Sequence, residues 1–119
     1  MCKNLEPVLS FLSEGFGVEI LRRRTMMTDP PTPVADVNIG GAMYILKQVG
    51  PEWQDPDPAA LICGYHHLGF LVDDLDACLA RLTARPDTRL VVEPYSVGKR
   101  LCAFVAGPDN LYVEVMQDT

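Results

Sequence analysis

The stretch Asp74-Leu-Asp-Ala-Cys-Leu-Ala-Arg-Leu82 decides how the rest of the chain is read. Leu75, Cys78, Leu79 and Leu82 fall at i, i+3, i+4 and i+7, which is one face of a helix. Asp74 can cap its N-terminus, and Asp76 sits in the first turn, where unpaired backbone N–H groups favour an acid. The same pattern stands 70 positions earlier: Asn4 at the cap, Glu6 in the first turn, and Leu5, Val8, Leu9 and Leu12 as the stripe. Pro7 is tolerable there because the first turn of a helix needs no donor from it.

The strands after each helix repeat as well. After the first come strand-like runs at 18–24, 34–39 and 42–48; after the second, runs at 90–93, 100–105 and 111–116. Asp29-Pro30-Pro31 and Gly40-Gly41 break the first set, Gly98 and Gly107-Pro108-Asp109-Asn110 the second. Tyr44 and Tyr112 mark the two final strands as counterparts, which sets Leu46 against Glu114. One further strand, 65–72, precedes the second helix, and its counterpart would fall before Met1. The expectation is an α+β fold of two β-α-β-β-β modules forming a cupped mixed sheet, the first module lacking its opening strand. Module one takes residues 1–49, a proline-bearing linker 50–64, and module two 65–119.

The 119 residues suit one domain or two small joined halves, and 48% hydrophobic residues can supply a core. No apolar run is long enough to span a bilayer, and Met1-Cys2-Lys3-Asn4 carries no signal-peptide pattern. A cytoplasmic protein without membrane contact is the expectation. Sixteen acidic against ten basic residues give a formal charge of -6, which argues against nucleic acid as a partner. Arg22-Arg23-Arg24 reads as a solvated strand end. Cys2, Cys63, Cys78 and Cys102 are dispersed and read as reduced thiols; Cys63 with His66 is a weak metal signal.

Strands alternate their faces. Leu68, Phe70 and Val72 form an apolar face for the helices, which sends Tyr65, His67 and Gly69 to the opposite, concave side. Leu111, Val113 and Val115 do the same in the last strand, which sends Tyr112, Glu114 and Met116 to the concave side. A histidine and a carboxylate on one sheet face are nitrogen and oxygen donors of the kind a divalent ion takes. A purely structural His67–Glu114 hydrogen bond fits the same spacing. By parity Tyr44, Tyr65 and Tyr112 line the cleft, together with Leu46, and Trp53 of the linker can fold over it or cover the core.

His67-Leu-Gly-Phe-Leu-Val-Asp-Asp-Leu75, a helix, and then Phe104-Val-Ala-Gly-Pro-Asp-Asn-Leu-Tyr-Val-Glu114 resemble the vicinal oxygen chelate superfamily. That group includes glyoxalase I, methylmalonyl-CoA epimerase, extradiol dioxygenases, and the fosfomycin and bleomycin resistance proteins. The resemblance is closest over residues 65–117; Asn4-Leu-Glu-Pro-Val-Leu-Ser-Phe-Leu12 and Phe16-Gly-Val-Glu19 echo it in the first half. It implies paired modules around a cleft, with metal ligands from their first and last strands. His67 and Glu114 match two such ligands. The other two are missing, because one position precedes Met1 and Leu46 stands at the other.

Two functions stand side by side, next to a third in which the chain is a decayed or accessory module whose cleft serves only dimerisation. One is a metal-dependent lyase or isomerase of the glyoxalase type, with a zinc, nickel, manganese or iron ion held by an incomplete site. The other is a metal-free protein of the bleomycin-resistance type, sequestering a small cationic aromatic ligand. Whether the chain is an enzyme is left open between them. A homodimer is expected, since a lost strand leaves an edge that invites pairing.

Overall fold

Helix α1 spans Leu5–Phe16 and buries Leu5, Val8, Leu9, Phe11 and Leu12, so the expected stripe gains Phe11. Gly17 ends it in the left-handed conformation (φ 66°), donating back to the Leu12 and Ser13 carbonyls. The computed structural model describes residues 1–50 and 67–119, which form two compact units, one on each side of the intervening segment. Except for Gly50, the linker expected at 50–64 lies outside the described residues, as do Trp53 and Tyr65.

In the first unit α1 is followed by β1 (Glu19–Met26), β2 (Thr32–Ile39) and β3 (Ala42–Lys47), an antiparallel sheet in the order β1-β2-β3. No strand precedes α1 among the described residues. Cys2 alone stands in its place, making a parallel bridge to Gln48: its N–H donates to the Lys47 carbonyl (3.0 Å) and its carbonyl accepts from Val49 (2.8 Å).

In the second unit β4 (Leu68–Leu71) leads into α2 (Leu75–Thr83), and then come β5 (Arg89–Val97), β6 (Arg100–Ala106) and β7 (Tyr112–Asp118). The sheet order is β4-β7-β6-β5, with β4 parallel to β7 and the rest antiparallel. This is the β-α-β-β-β order read from the sequence, and the α+β class holds in both units. β5 runs four residues beyond its expected end. It is an edge strand, a place where a proline such as Pro94 is tolerated, and its register slips on both sides of Val92.

Each helix start is held by a glutamine from the far end of its own unit. Gln117 Oε1 accepts the Leu75 N–H at 2.7 Å, and Gln48 Oε1 accepts the Leu5 N–H at 3.1 Å. Asp74 caps α2 as expected, accepting from Ala77 N–H at 2.9 Å. Asn4 occupies the corresponding position but makes no side-chain cap bond to α1.

These glutamines fix which face of each sheet lies under its helix. Gln117 shares parity with Val113 and Val115, both fully buried, so Tyr112, Glu114 and Met116 lie on the face away from α2. Gln48 shares parity with Leu46 and Tyr44. Both therefore lie on the α1 side, not in a cleft on the opposite face, which corrects the expected placement of Tyr44 and Leu46. The residue set against Glu114 is Ile45. It pairs across the strands with Asp36, as Glu114 pairs with Phe104. The reason is the β2–β3 turn, which is shorter than the β6–β7 connection. Matching tyrosine to tyrosine ignored that difference, and a one-residue slip turns every side chain to the other face.

Candidate functional site

The open face of the second unit gathers its chemistry around Glu114. Gly69 sits beside Glu114 in the parallel β4–β7 register, and His67, two residues earlier, shares that face. His67 Nε2 lies 3.3 Å from Glu114 Oε2, with the two side chains 31% and 19% exposed. Phe104 is the cross-strand partner of Glu114 on β6. The His67 ring meets Phe104 edge-on at 5.3 Å and Tyr112 edge-on at 6.0 Å, while Phe104 and Tyr112 stack at 5.0 Å. Two stacked rings, Phe104 and Tyr112, thus wall one side of the histidine–carboxylate pair.

Glu114 also bears on groups that carry protons. Burial pushes the Cys102 thiol up from its ordinary pKa, and the charge of Glu114 and a hydrogen bond to it push the same way. Tyr112 is raised by burial and then by Glu114. Tyr95, the cross-strand partner of Cys102, is raised by burial, then by Cys102, Glu114 and Tyr112. All three stay protonated at neutral pH, so they offer O–H and S–H donors and no nucleophile.

Beyond this cluster a groove of about 520 Å³ runs along β6 and β7, from Cys102, Glu114 and Met116 to Lys99, Arg100 and Asp118. Arg100 is tied to Asp118 (Nε to Oδ1, 2.7 Å) and its Nη1 lies 3.9 Å from Met116 Sδ. Gly69 leaves room for Met116: a Cβ there would lie 2.8 Å from Met116 Cε.

The structure thus brings together His67, Glu114 and Tyr112. Tyr44 and Leu46 belong to the other unit and to its helix side. Phe104, Cys102, Met116 and Tyr95 complete the cluster. Sequence reading singled out none of Phe104, Cys102 and Tyr95 as site residues, because their membership comes from cross-strand register, which parity within one strand does not give.

A metal centre asks for three or four protein donors, or two with an unusual complement of other ligands. Among the described residues, no group of three or more His, Cys, Asp and Glu side chains could hold an ion. In the first unit, aliphatic Ile45 takes the place of Glu114. The nearest carboxylate across the strands, Asp36, is fully engaged by Arg22 and Arg24. The described donor set does not fit a protein-bound metal.

A family model described as the Glyoxalase/Bleomycin resistance protein/Dioxygenase superfamily matches residues 1–115. The chain belongs to that superfamily, the vicinal oxygen chelate proteins. Among solved structures it is similar to a glyoxalase family protein from Bacillus cereus (TM-score 0.79, 18% identity, 98% of this chain and 87% of that one). It is also similar to a genomically encoded fosfomycin resistance protein from Listeria monocytogenes (TM-score 0.73, 17% identity, 99% and 88%). Glyoxalase I from Zea mays matches with a TM-score of 0.75 and 21% identity over 99% of this chain, which spans 42% of that one. At these identities the likeness is one of fold. No curated protein sequence matches.

Proposed function

We propose that this chain is a small-molecule binding protein that holds a flat cationic ligand on the open face of its second unit without a metal ion. The observation that carries this reading is the composition of the face. An ionisable acid, Glu114, is set against His67 and flanked by the stacked Phe104 and Tyr112, with an open groove alongside. A carboxylate attracts a cation, and aromatic faces attract both its charge and its ring. The proton donors around Glu114 are held in their neutral forms, which suits recognition better than proton transfer.

A thermal-shift screen with planar aromatic amines and guanidines tests it. A binder at a hundredfold its Kd adds about 2.7 kcal/mol to stability, a readily visible rise in Tm. Glu114→Gln should abolish the response to cations, and a flat response across the panel would reject the reading.

The convergence of His67 Nε2 and Glu114 Oε2 on one face favours a second reading, a metal-dependent lyase or isomerase in which these two residues contribute ligands. Calorimetric titration with nickel, zinc, manganese and ferrous ions separates the two. Stoichiometric binding lost in His67→Ala supports the second reading, and absence of binding supports the first. In either case the partners are a small-molecule ligand and a second copy of the chain, with neither nucleic acid nor membrane involved.

A further inference from the structure

The three consecutive arginines of β1 lie within the strand and not at its end; Arg22 and Arg23 are solvent-exposed as expected, but all three are paired with carboxylates. Arg23 turns to the helix side, where its Nε and Nη2 donate to the two oxygens of Glu6 at 3.1 Å each. Arg22 and Arg24 turn to the other face and converge on one carboxylate. Arg22 donates to Asp36 Oδ2 through Nε (3.1 Å) and Nη2 (2.9 Å). Arg24 donates to Oδ2 through Nε (3.2 Å) and to Oδ1 through Nη2 (3.0 Å). Asp36 is only 2% exposed.

Each guanidinium has five N–H donors, and two of each are spent on Asp36. Sharing Oδ2 keeps the two groups no farther apart than two hydrogen bonds. Like charges at that separation repel, and one carboxylate balances only one of them. The cross-strand row Arg24–Val34–Lys47 puts a further cation on the same face. Glu19, which pairs with Asn38 at the other end of that face, is its second acid. Arg22, Arg24 and Lys47 therefore face Asp36 and Glu19, leaving the face net positive on a chain whose total charge is -6.

We propose that Arg22 and Arg24, pinned by Asp36, form a binding site for a tetrahedral oxyanion, the phosphate group of a small molecule. Asp36 acts here as a positioning residue. It accepts from the inner edges of both guanidiniums and leaves the outer Nη donors of each for a ligand. Arginine in a fixed plane is suited to this, because its fork matches two oxygens at once and loses little freedom on binding. A phosphate brings more acceptor oxygens and more negative charge than a second carboxylate, so it answers the spare donors of both guanidiniums and the excess positive charge together. The side chain of Arg22, 65% exposed, gives access. The site lies wholly in the first unit and stands apart from the reading of the Glu114 face.

The test is titration of the intact chain with inorganic phosphate at constant ionic strength, followed by NMR of the arginine Nε–H resonances. Saturable shifts at Arg22 and Arg24 are expected. Arg22→Gln should weaken the affinity about tenfold or more, because it removes one fork. It leaves Asp36 bonded to Arg24 at both oxygens, so the variant should fold, as a melt will verify. Arg22→Lys should recover only part of the affinity, and Arg81→Gln on α2 should leave it unchanged. A response no greater than that to matched sodium chloride overturns the proposal, as does undiminished affinity in Arg22→Gln. If acetate binds as tightly as phosphate, the assignment to a tetrahedral oxyanion is overturned.

Discussion

Asp36 and Glu114 are two acids on sheet faces turned away from the helices, and their surroundings differ sharply. Arg24 first and then Arg22 hold the Asp36 carboxyl below the usual carboxylate range, and Arg85 does the same for Asp87. A carboxyl whose pKa is lower folded than unfolded binds its proton more readily in the unfolded chain. Its contribution is complete above the ordinary value, about 4, and is lost as pH falls through the lower folded value. Asp36→Asn should therefore lower Tm at neutral pH and flatten the acid limb of a Tm-against-pH profile; an unchanged limb would contradict the assignment. Gly69→Ala is the complementary probe at the other face. Met116 is flexible enough to yield, so the variant should fold at a cost of about 1 kcal/mol. The displaced Met116 should blunt the response to cationic ligands in the thermal-shift screen. His67, Glu114 and Tyr112 were legible as one face from alternation alone. Phe104 and Cys102 were not, because strand pairing brings them there and no spacing within the sequence encodes it.

The helices were legible from the 3.6-residue stripe, and their starts at Leu5 and Leu75 follow the expected cap positions, although only Asp74 makes the cap bond. The strands were legible in number and order. What escaped was the length of one turn, and with it the face of β3. Its hydrophobic pattern could not correct the error, because Met43, Tyr44 and Ile45 are all apolar and all exposed, so neither phase stands out. The glutamine bonds carry the information that residue likeness did not. Leu75 is buried, so removing the acceptor from its N–H should be felt: Gln117→Leu is expected to cost about 1–3 kcal/mol in urea unfolding and to speed amide exchange at Leu75. Unaltered exchange would mean that solvent already serves that N–H.

Across the whole chain, two units share one plan and differ at their openings. β4 pairs along β7 over four residues, whereas Cys2 offers a single bridge to Gln48. The outer edge of β3 is thus largely without a neighbouring strand among the described residues, and such edges recruit other chains. Light scattering at working concentration should give twice the mass of one chain; a monomer would remove the edge as an interface. Among the described residues, no helix is long and apolar enough to cross a membrane. The family was legible from the second unit, where the two matching stretches, His67 to Leu75 and Phe104 to Glu114, both lie. The first unit is harder to place because its acid sits one strand over and is already engaged by arginine.

The short turn between β2 and β3 has a practical corollary. Gly40 and Gly41 both take positive φ, and the Gly41 N–H donates to Asn38 Oδ1 at 2.9 Å. Downstream, Gln48 is fastened twice, to Cys2 and to the Leu5 amide. Length added at the tip is absorbed there before it can drag on β3. The Gly40–Gly41 junction is therefore a natural graft point, where an epitope or reporter peptide can be spliced in while the sheet behind it keeps its register.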